Sequence, residues 1–166
     1  KALGIKTFFN MLGPMVNPAF PKYQMVGVFN LELLRLYNYL YQQTDKNYSI
    51  VHDLGGYDEL SLTNSAKIAT NQSELLFSPN DLGLESIAPK TIFGGNTVEE
   101  ATIIFKSIIS GEGTEAQNNV VCANAAMAIA TATDCTPIEG FEKAKISLMS
   151  GKAYQAFKTL QKLSAA

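Results

Sequence analysis

Apolar and polar positions along this chain follow two periods, and the switches between them mark the elements. Leu3, Phe8 and Leu12 already keep a helical spacing in the opening residues. Gly13-Pro14 stops that helix, because proline keeps the residue before it out of the helical region. Asn17 to Pro21 holds two more prolines and reads as a rigid connector. Tyr23 to Phe29 is a short apolar run that reads as a buried strand. Asn30 caps a helix whose apolar positions, Leu33, Leu34, Tyr37, Leu40 and Tyr41, recur with a period near 3.6. Tyr48 to Asp53 is the next strand. Strand, helix, strand over about thirty residues is a βαβ unit, which implies parallel strands and a right-handed crossover. Leu62 to Phe77 then reads as a hairpin, Ala66 to Thr70 and Glu74 to Phe77, turning at Asn71-Gln72. Ser78-Pro79-Asn80-Asp81 is turn chemistry.

The second half is helical in period. Thr97 and Glu100 form a capping box, and Ala101, Ile104, Phe105 and Ile108 make a stripe expected to be buried, up to Gly111. Glu115 to Ala132 is apolar on nearly every side and alanine-rich toward its end, which predicts a helix inside the protein. Thr136-Pro137-Ile138-Glu139 joins an N-cap, a proline at the first helical position and a capping-box acid. That helix ends near Gly151, and a last amphipathic helix carries Ala153, Ala156, Phe157, Leu160 and Leu163. The fold class is α/β: a βαβ unit plus hairpin packed with several helices. A βαβ and a hairpin make a thin sheet for so many helices. With a helical pattern already running at Lys1, the chain reads as a piece of something larger, whose further strands lie elsewhere.

Composition narrows the class more than the chemistry. The 166 residues carry a formal net charge of −2 without a basic run, so there is no electrostatic footprint for nucleic acid. The longest apolar run is far short of a membrane span, and no signal-peptide pattern is visible. The expectation is a cytoplasmic protein with neither membrane nor nucleic acid as partner. Cys122 and Cys135 match no metal spacing and read as buried, reduced thiols. His52, the only histidine, sits in a strand without a second histidine or cysteine to form a metal set. It reads as a hydrogen-bonded core residue rather than a catalytic base.

The candidate chemistry lies in Asp58 and Glu59. These adjacent acids follow the strand and the glycine turn of Ser49-Ile50-Val51-His52-Asp53-Leu54-Gly55-Gly56-Tyr57. Neighbouring carboxylates repel, so a pair is usually held by something cationic. A loop past a strand end is also where open α/β sheets bind ligands. Hard oxygen ligands there suggest Mg²⁺, and Mg²⁺ held by one or two carboxylates implies a phosphate-bearing substrate. A solvated acidic loop is the alternative reading of the same residues.

Several stretches together resemble one family. Leu3-Gly4-Ile5-Lys6-Thr7-Phe8-Phe9-Asn10-Met11-Leu12-Gly13-Pro14-Met15-Val16-Asn17-Pro18 is similar to a segment of the anthranilate phosphoribosyltransferases. So, in the right order, are Val26-Gly27-Val28, Val51-His52, Gly56-Tyr57-Asp58-Glu59-Leu60-Ser61, Gly94-Gly95-Asn96 and Asn124-Ala125-Ala126. The resemblance implies the C-terminal part of a nucleoside phosphorylase/phosphoribosyltransferase-type α/β domain. The implied reaction moves a phosphoribosyl group from phosphoribosyl pyrophosphate to the amino group of anthranilate, in tryptophan biosynthesis. It also implies that Asp58 and Glu59 bind Mg²⁺, that Gly13 lines the passage for anthranilate, and that the full-length enzyme is a homodimer. From the residues alone Gly13 reads equally as a helix stop before Pro14.

The chain departs from the family pattern too. The family's glycine-rich phosphate loop, its lysine-histidine-glycine-asparagine segment and its small N-terminal helical domain have no counterpart in these residues. Asp53-Leu54 replaces part of the glycine-rich turn after the histidine, so the route of the loop to Asp58 is expected to differ. The chain alone is expected to be inactive, and no residue of it is assigned a catalytic role beyond metal and substrate binding. Two alternatives stay open: a nucleoside phosphorylase-like enzyme of the same fold, and a binding module with a vestigial acid pair.

Overall fold

The computed structural model describes residue 13 and residues 15–164. The helix expected around Leu3 to Leu12 lies outside the described residues. Strand β1 (Tyr23–Gly27), helix α1 (Leu31–Tyr41) and strand β2 (Asn47–Asp53) form the βαβ unit, with β1 and β2 adjacent and parallel. Strands β3 (Ala66–Thr70) and β4 (Glu74–Phe77) form the antiparallel hairpin at the expected bounds. The sheet order is β1-β2-β3-β4, with β2 and β3 antiparallel. Among the described residues, β1 and β4 are therefore edges.

Successive side chains of a strand point to opposite faces, and β2 is buried at every position from Tyr48 to Asp53. It is the spine between two cores. On one face Tyr48 and Ile50 join Val26, Val28 and Ala69 beneath Leu33, Leu34, Tyr37 and Tyr41 of α1. The Tyr41 and Tyr48 rings stack there with centroids 5.2 Å apart. Asn38 accepts a 2.7 Å hydrogen bond from the Tyr48 hydroxyl and donates one of 3.0 Å to Glu74. Four further α-helices follow among the described residues: α2 (Val98–Ile109), α3 (Glu115–Ala132), α4 (Pro137–Met149) and α5 (Lys152–Ser164). On the second face Val51, Ala66, Ile68 and Phe77 meet Cys122, Ala123, Ala126 and Met127 of α3, with Phe141, Ala144 and Leu148 of α4 behind them. The result is helix, sheet, helix in three layers.

Local chemistry starts these helices where the sequence places them. Asn30 accepts from the Leu33 amide at 2.8 Å. Thr136 and Glu139 exchange both bonds of a capping box. At α2 only half of the expected box forms: Thr97 accepts from the Glu100 amide, while the Glu100 carboxylate turns to the amide of Asn96. A box not foreseen, Thr114 with Gln117, opens α3.

Four expectations need correction. β1 stops at Gly27, although the Val28 amide still reaches the Val51 carbonyl at 2.9 Å. The stripe of α2 is not buried: Ile104 and Ile108 are half-covered while Ala101 and Phe105 are exposed, and Phe105 lies edge-on to the Phe157 ring of α5, 5.1 Å away. In α5, Ala156, Leu160 and Leu163 are likewise exposed. Helix α3 is inside along one side only, with Val121, Ala128 and Ala132 exposed. Its fit to α4 depends on Gly140, where a β-carbon would lie 2.7 Å from the Ala126 carbonyl oxygen. Cys122 is buried as expected, but Cys135 is only half-buried; both are free thiols.

Candidate functional site

Asp58 and Glu59 lie on the loop that leaves the carboxyl end of β2, and both side chains are exposed. Neither makes an ion pair with another described residue. The backbone beneath them is tightly held. The Tyr57 carbonyl returns to accept from the Asp53 amide at 3.0 Å, and the Leu54 amide donates to the Ser65 carbonyl at 2.9 Å. The loop thus leaves β2 and comes back to it, lifting the acid pair past the strand end.

Asp53 organises this turn from inside. Its carboxylate is fully buried. One oxygen accepts from the Gly55 amide at 2.7 Å; the other accepts from the Ser61 amide at 3.1 Å and from the Ser61 hydroxyl at 2.6 Å. The Ser61 proton is committed to Asp53, so the Thr63 hydroxyl, 2.7 Å away, donates to Ser61. The buried charge is compensated by three charge-assisted bonds, as a buried carboxylate must be. The departure noted at Asp53-Leu54 is therefore the residue that fixes the loop's route.

Two further groups close on the same loop. Asn124 of α3 accepts from the Leu60 amide at 2.9 Å and donates to the Leu60 carbonyl at 2.8 Å. Gly27 ends β1 directly beneath Asp58: a β-carbon there would lie 1.7 Å from the Asp58 carbonyl oxygen. The loop ends at Leu62, whose φ of 60° is left-handed. That conformation costs a non-glycine residue about 1–2 kcal/mol. Burial of the Leu62 side chain in the second-face core offsets it at about 1.5–3 kcal/mol.

His52 is buried, and its Nδ1 lies 2.9 Å from the Val28 carbonyl. A carbonyl only accepts, so Nδ1 carries the proton and the ring ties the end of β1 to β2. It is the core histidine expected. Gly13 is exposed, with nothing among the described residues within 4 Å of a β-carbon built on it. The sequence reading did not find the anchoring roles of Asp53, Asn124 and Gly27. Gly27 and Asn124 appeared only within motifs, and an asparagine in an alanine-rich helix was the one local signal. A hollow of about 510 Å³ between α2 and α5 is lined by Ile103, Lys106, Tyr154, Phe157 and Lys158. It does not involve the acid pair, whose two residues are exposed.

Mg²⁺ can be tested against this arrangement. Among the described residues no group of three histidine, cysteine or acidic side chains could hold a metal ion. Two exposed carboxylates do not make an all-protein cage. They fit a cation that keeps several waters and completes its shell with substrate phosphates, which is how Mg²⁺ is usually held.

Residues 1–154 match the model of the glycosyl transferase family, a/b domain. Anthranilate phosphoribosyltransferase of Flavobacterium johnsoniae is 61% identical over 164 residues, covering 99% of this chain and 50% of that relative. The protein of the same name from Bacteroides fragilis is 48% identical over 165 residues, with the same coverage. The crystal structure of anthranilate phosphoribosyltransferase from Thermus thermophilus matches with a TM-score of 0.84 at 27% identity, covering 95% of this chain and 48% of that one. The Saccharomyces cerevisiae enzyme in complex with PRPP and Mg matches with a TM-score of 0.81 at 25% identity, covering 95% and 46%. The chain spans about half the length of the curated relatives it matches.

Proposed function

The chain belongs to the glycosyl transferase family through its a/b domain, and from that premise we propose that it is the metal-binding half of an anthranilate phosphoribosyltransferase. The observation that carries the reading is the placement of Asp58 and Glu59: exposed, without a cationic partner among the described residues, on a loop anchored at the carboxyl end of the central strand. Open α/β sheets bind ligands there. The reaction joins the anthranilate amino group to the anomeric carbon of phosphoribosyl pyrophosphate as pyrophosphate leaves. Mg²⁺, when bound, neutralises charge on that leaving group. The Asp58 and Glu59 carboxylates would hold it, and the loop backbone keeps them in place. His52 is given no part in this reading: the ring is buried, and its Nδ1–H ties the end of β1 to β2 through the Val28 carbonyl.

Gly13 belongs to the same proposal, as one wall of the anthranilate passage: without a side chain it lets a flat ring approach the backbone. The glycine-rich phosphate loop and the groups that would bind the anthranilate carboxylate are assigned to the other half of the full-length enzyme, so this chain alone transfers nothing. The reading extends to a cytoplasmic homodimer whose dimer surface lies mostly outside these residues. Among the described residues no helix is long and apolar enough to cross a membrane. The relatives described above carry the name anthranilate phosphoribosyltransferase, which favours this reading over a nucleoside phosphorylase.

The test is the Asp58→Ala/Glu59→Ala double variant of the full-length protein. Turnover should fall by roughly 10²–10³-fold, the scale of a lost electrostatic stabiliser, while anthranilate binding changes little. Wild-type turnover would remove the acid pair from the metal site.

A further inference from the structure

Asn124 sits in a helix that would be more stable with alanine, its neighbour at Ala123, Ala125 and Ala126. Asparagine is a poorer helix former than alanine, and such a break with local preference marks a position chosen for something else. Its carboxamide grips both polar groups of one residue: Oδ1 accepts from the Leu60 amide at 2.9 Å and Nδ2 donates to the Leu60 carbonyl at 2.8 Å. A third bond, Nδ2 to the Val120 carbonyl at 3.0 Å, fixes the side chain on its own helix. Leu60 directly follows Glu59. On the other side, Asp53 fixes Gly55 and Ser61. The two anchors come from different elements, α3 and β2, which pack against each other. Between them they hold the backbone on both sides of the acid pair and touch neither carboxylate.

We propose that Asn124 is a positioning residue for the acid pair, presetting the Glu59-Leu60 backbone from α3 so that the two carboxylates meet the metal-phosphate group without reordering the loop. The inference rests on the reading of Asp58 and Glu59 as metal ligands. A loop held in advance gives up less freedom on binding, and small misplacement of binding groups is costly in rate. Groups that orient metal ligands without touching the metal typically change affinity or activity by about 10–100-fold when lost.

The experiment uses the full-length protein with Asn124→Ala and Asn124→Asp. The first removes both contacts. The second, nearly isosteric, keeps an acceptor for the Leu60 amide but sets a carboxylate against the Leu60 carbonyl. Both should raise the Mg²⁺ concentration for half-maximal turnover by about 10–100-fold, weaken Mn²⁺ binding in the presence of phosphoribosyl pyrophosphate by a similar factor, and leave the KM for anthranilate nearly unchanged. A lower thermal midpoint with unchanged Mg²⁺ demand and Mn²⁺ affinity would make Asn124 a structural residue and overturn the proposal. So would failure of both variants to fold. The Asp58→Ala/Glu59→Ala variant, run beside them, separates the two ideas. If it loses its Mg²⁺ dependence while the Asn124 variants keep theirs, the positioning role alone fails. If it keeps wild-type Mg²⁺ dependence, the metal reading fails and takes this inference with it.

Discussion

Gly27→Ala is the sharpest perturbation this structure offers. A β-carbon at Gly27 would lie 1.7 Å from the Asp58 carbonyl oxygen, 2.8 Å from its carbonyl carbon and 3.2 Å from its β-carbon. Gly27 has no left-handed φ, so alanine suits its backbone and the clash is the whole effect. Real β-carbons essentially never come closer than 3.0 Å, so the two segments must part by at least 3.0 − 1.7 = 1.3 Å. The colliding atoms are backbone, and no side-chain rotation relieves them. The Asp58 peptide sits on a loop tied by Asp53 and Asn124, whereas β1 is an edge strand paired only to β2 among the described residues. The strain divides between them. Overpacking of this kind costs about 1–3 kcal/mol, and an ångström of displacement at binding groups lowers rate by about 10²-fold. The assay is chemical denaturation together with Mg²⁺-dependent turnover in the full-length protein. A wild-type denaturation midpoint would show that the close approach is absent. Lost stability with wild-type turnover and Mg²⁺ demand would show that β1 alone gave way and that the position of Asp58 is not critical, which refutes the reasoning.

Gly140→Ala serves as the contrast: its β-carbon would meet the Ala126 carbonyl oxygen at 2.7 Å between α3 and α4, so stability should fall by about 1–3 kcal/mol with the Mg²⁺ demand of the folded enzyme unchanged. Cys135 should react with iodoacetamide well before Cys122 at neutral pH, as mass spectrometry of the labelled peptides would show. Hydrogen bonds from Lys143 and the Thr133 hydroxyl hold the Cys135 thiol below its ordinary range, and burial pushes Cys122 up. Equal rates would contradict this. Burial, reinforced by neighbouring Tyr37, pushes Tyr41 up to about 12, and Tyr37 and Tyr48 are raised in the same direction. The unfolded chain ionises these phenols from pH 10.0 and the folded one does not, so their stabilising share is full below pH 10.0 and lost as pH rises toward about 12. A denaturation midpoint that stays flat across that window would refute the burial argument.

What could be read in advance followed from local rules. The hairpin strands came out at Ala66–Thr70 and Glu74–Phe77 because β-forming runs flank a short polar turn. The caps of α1 and α4 needed only residues within one turn of each other. The face of α2 was misjudged for the complementary reason. Periodicity says which side of a helix is apolar, but not whether anything lies against it. Ile104 and Phe105 have the pattern of a buried stripe, yet among the described residues Ile104 is only half-covered and Phe105 stays exposed beside the Phe157 ring. The acid pair was visible as a strand followed by glycines and two carboxylates. Its supports were not, because Asn124 and Leu60 stand 64 residues apart and meet only through the packing of α3 on the sheet.

Those supports answer the objection that two adjacent carboxylates should not stay together. A like-charge pair about 4 Å apart in water costs about 1 kcal/mol, and no lysine or arginine among the described residues pairs with either acid. Left to itself, a loop of this length would swing the two charges apart. Against that stand the bonds from Asp53 to the Gly55 and Ser61 amides, each worth about 1.5–3 kcal/mol because the acceptor is charged, and the paired grip of Asn124 on Leu60. The anchors exceed the repulsion severalfold. They act on the backbone, so they leave the outward carboxylate oxygens uncommitted. A structural acidic turn would relieve its repulsion by recruiting a cation from the chain. This one is braced from below and leaves both acids exposed with no cationic partner among the described residues, the arrangement that the proposed metal-binding role requires if the cation arrives with the substrate.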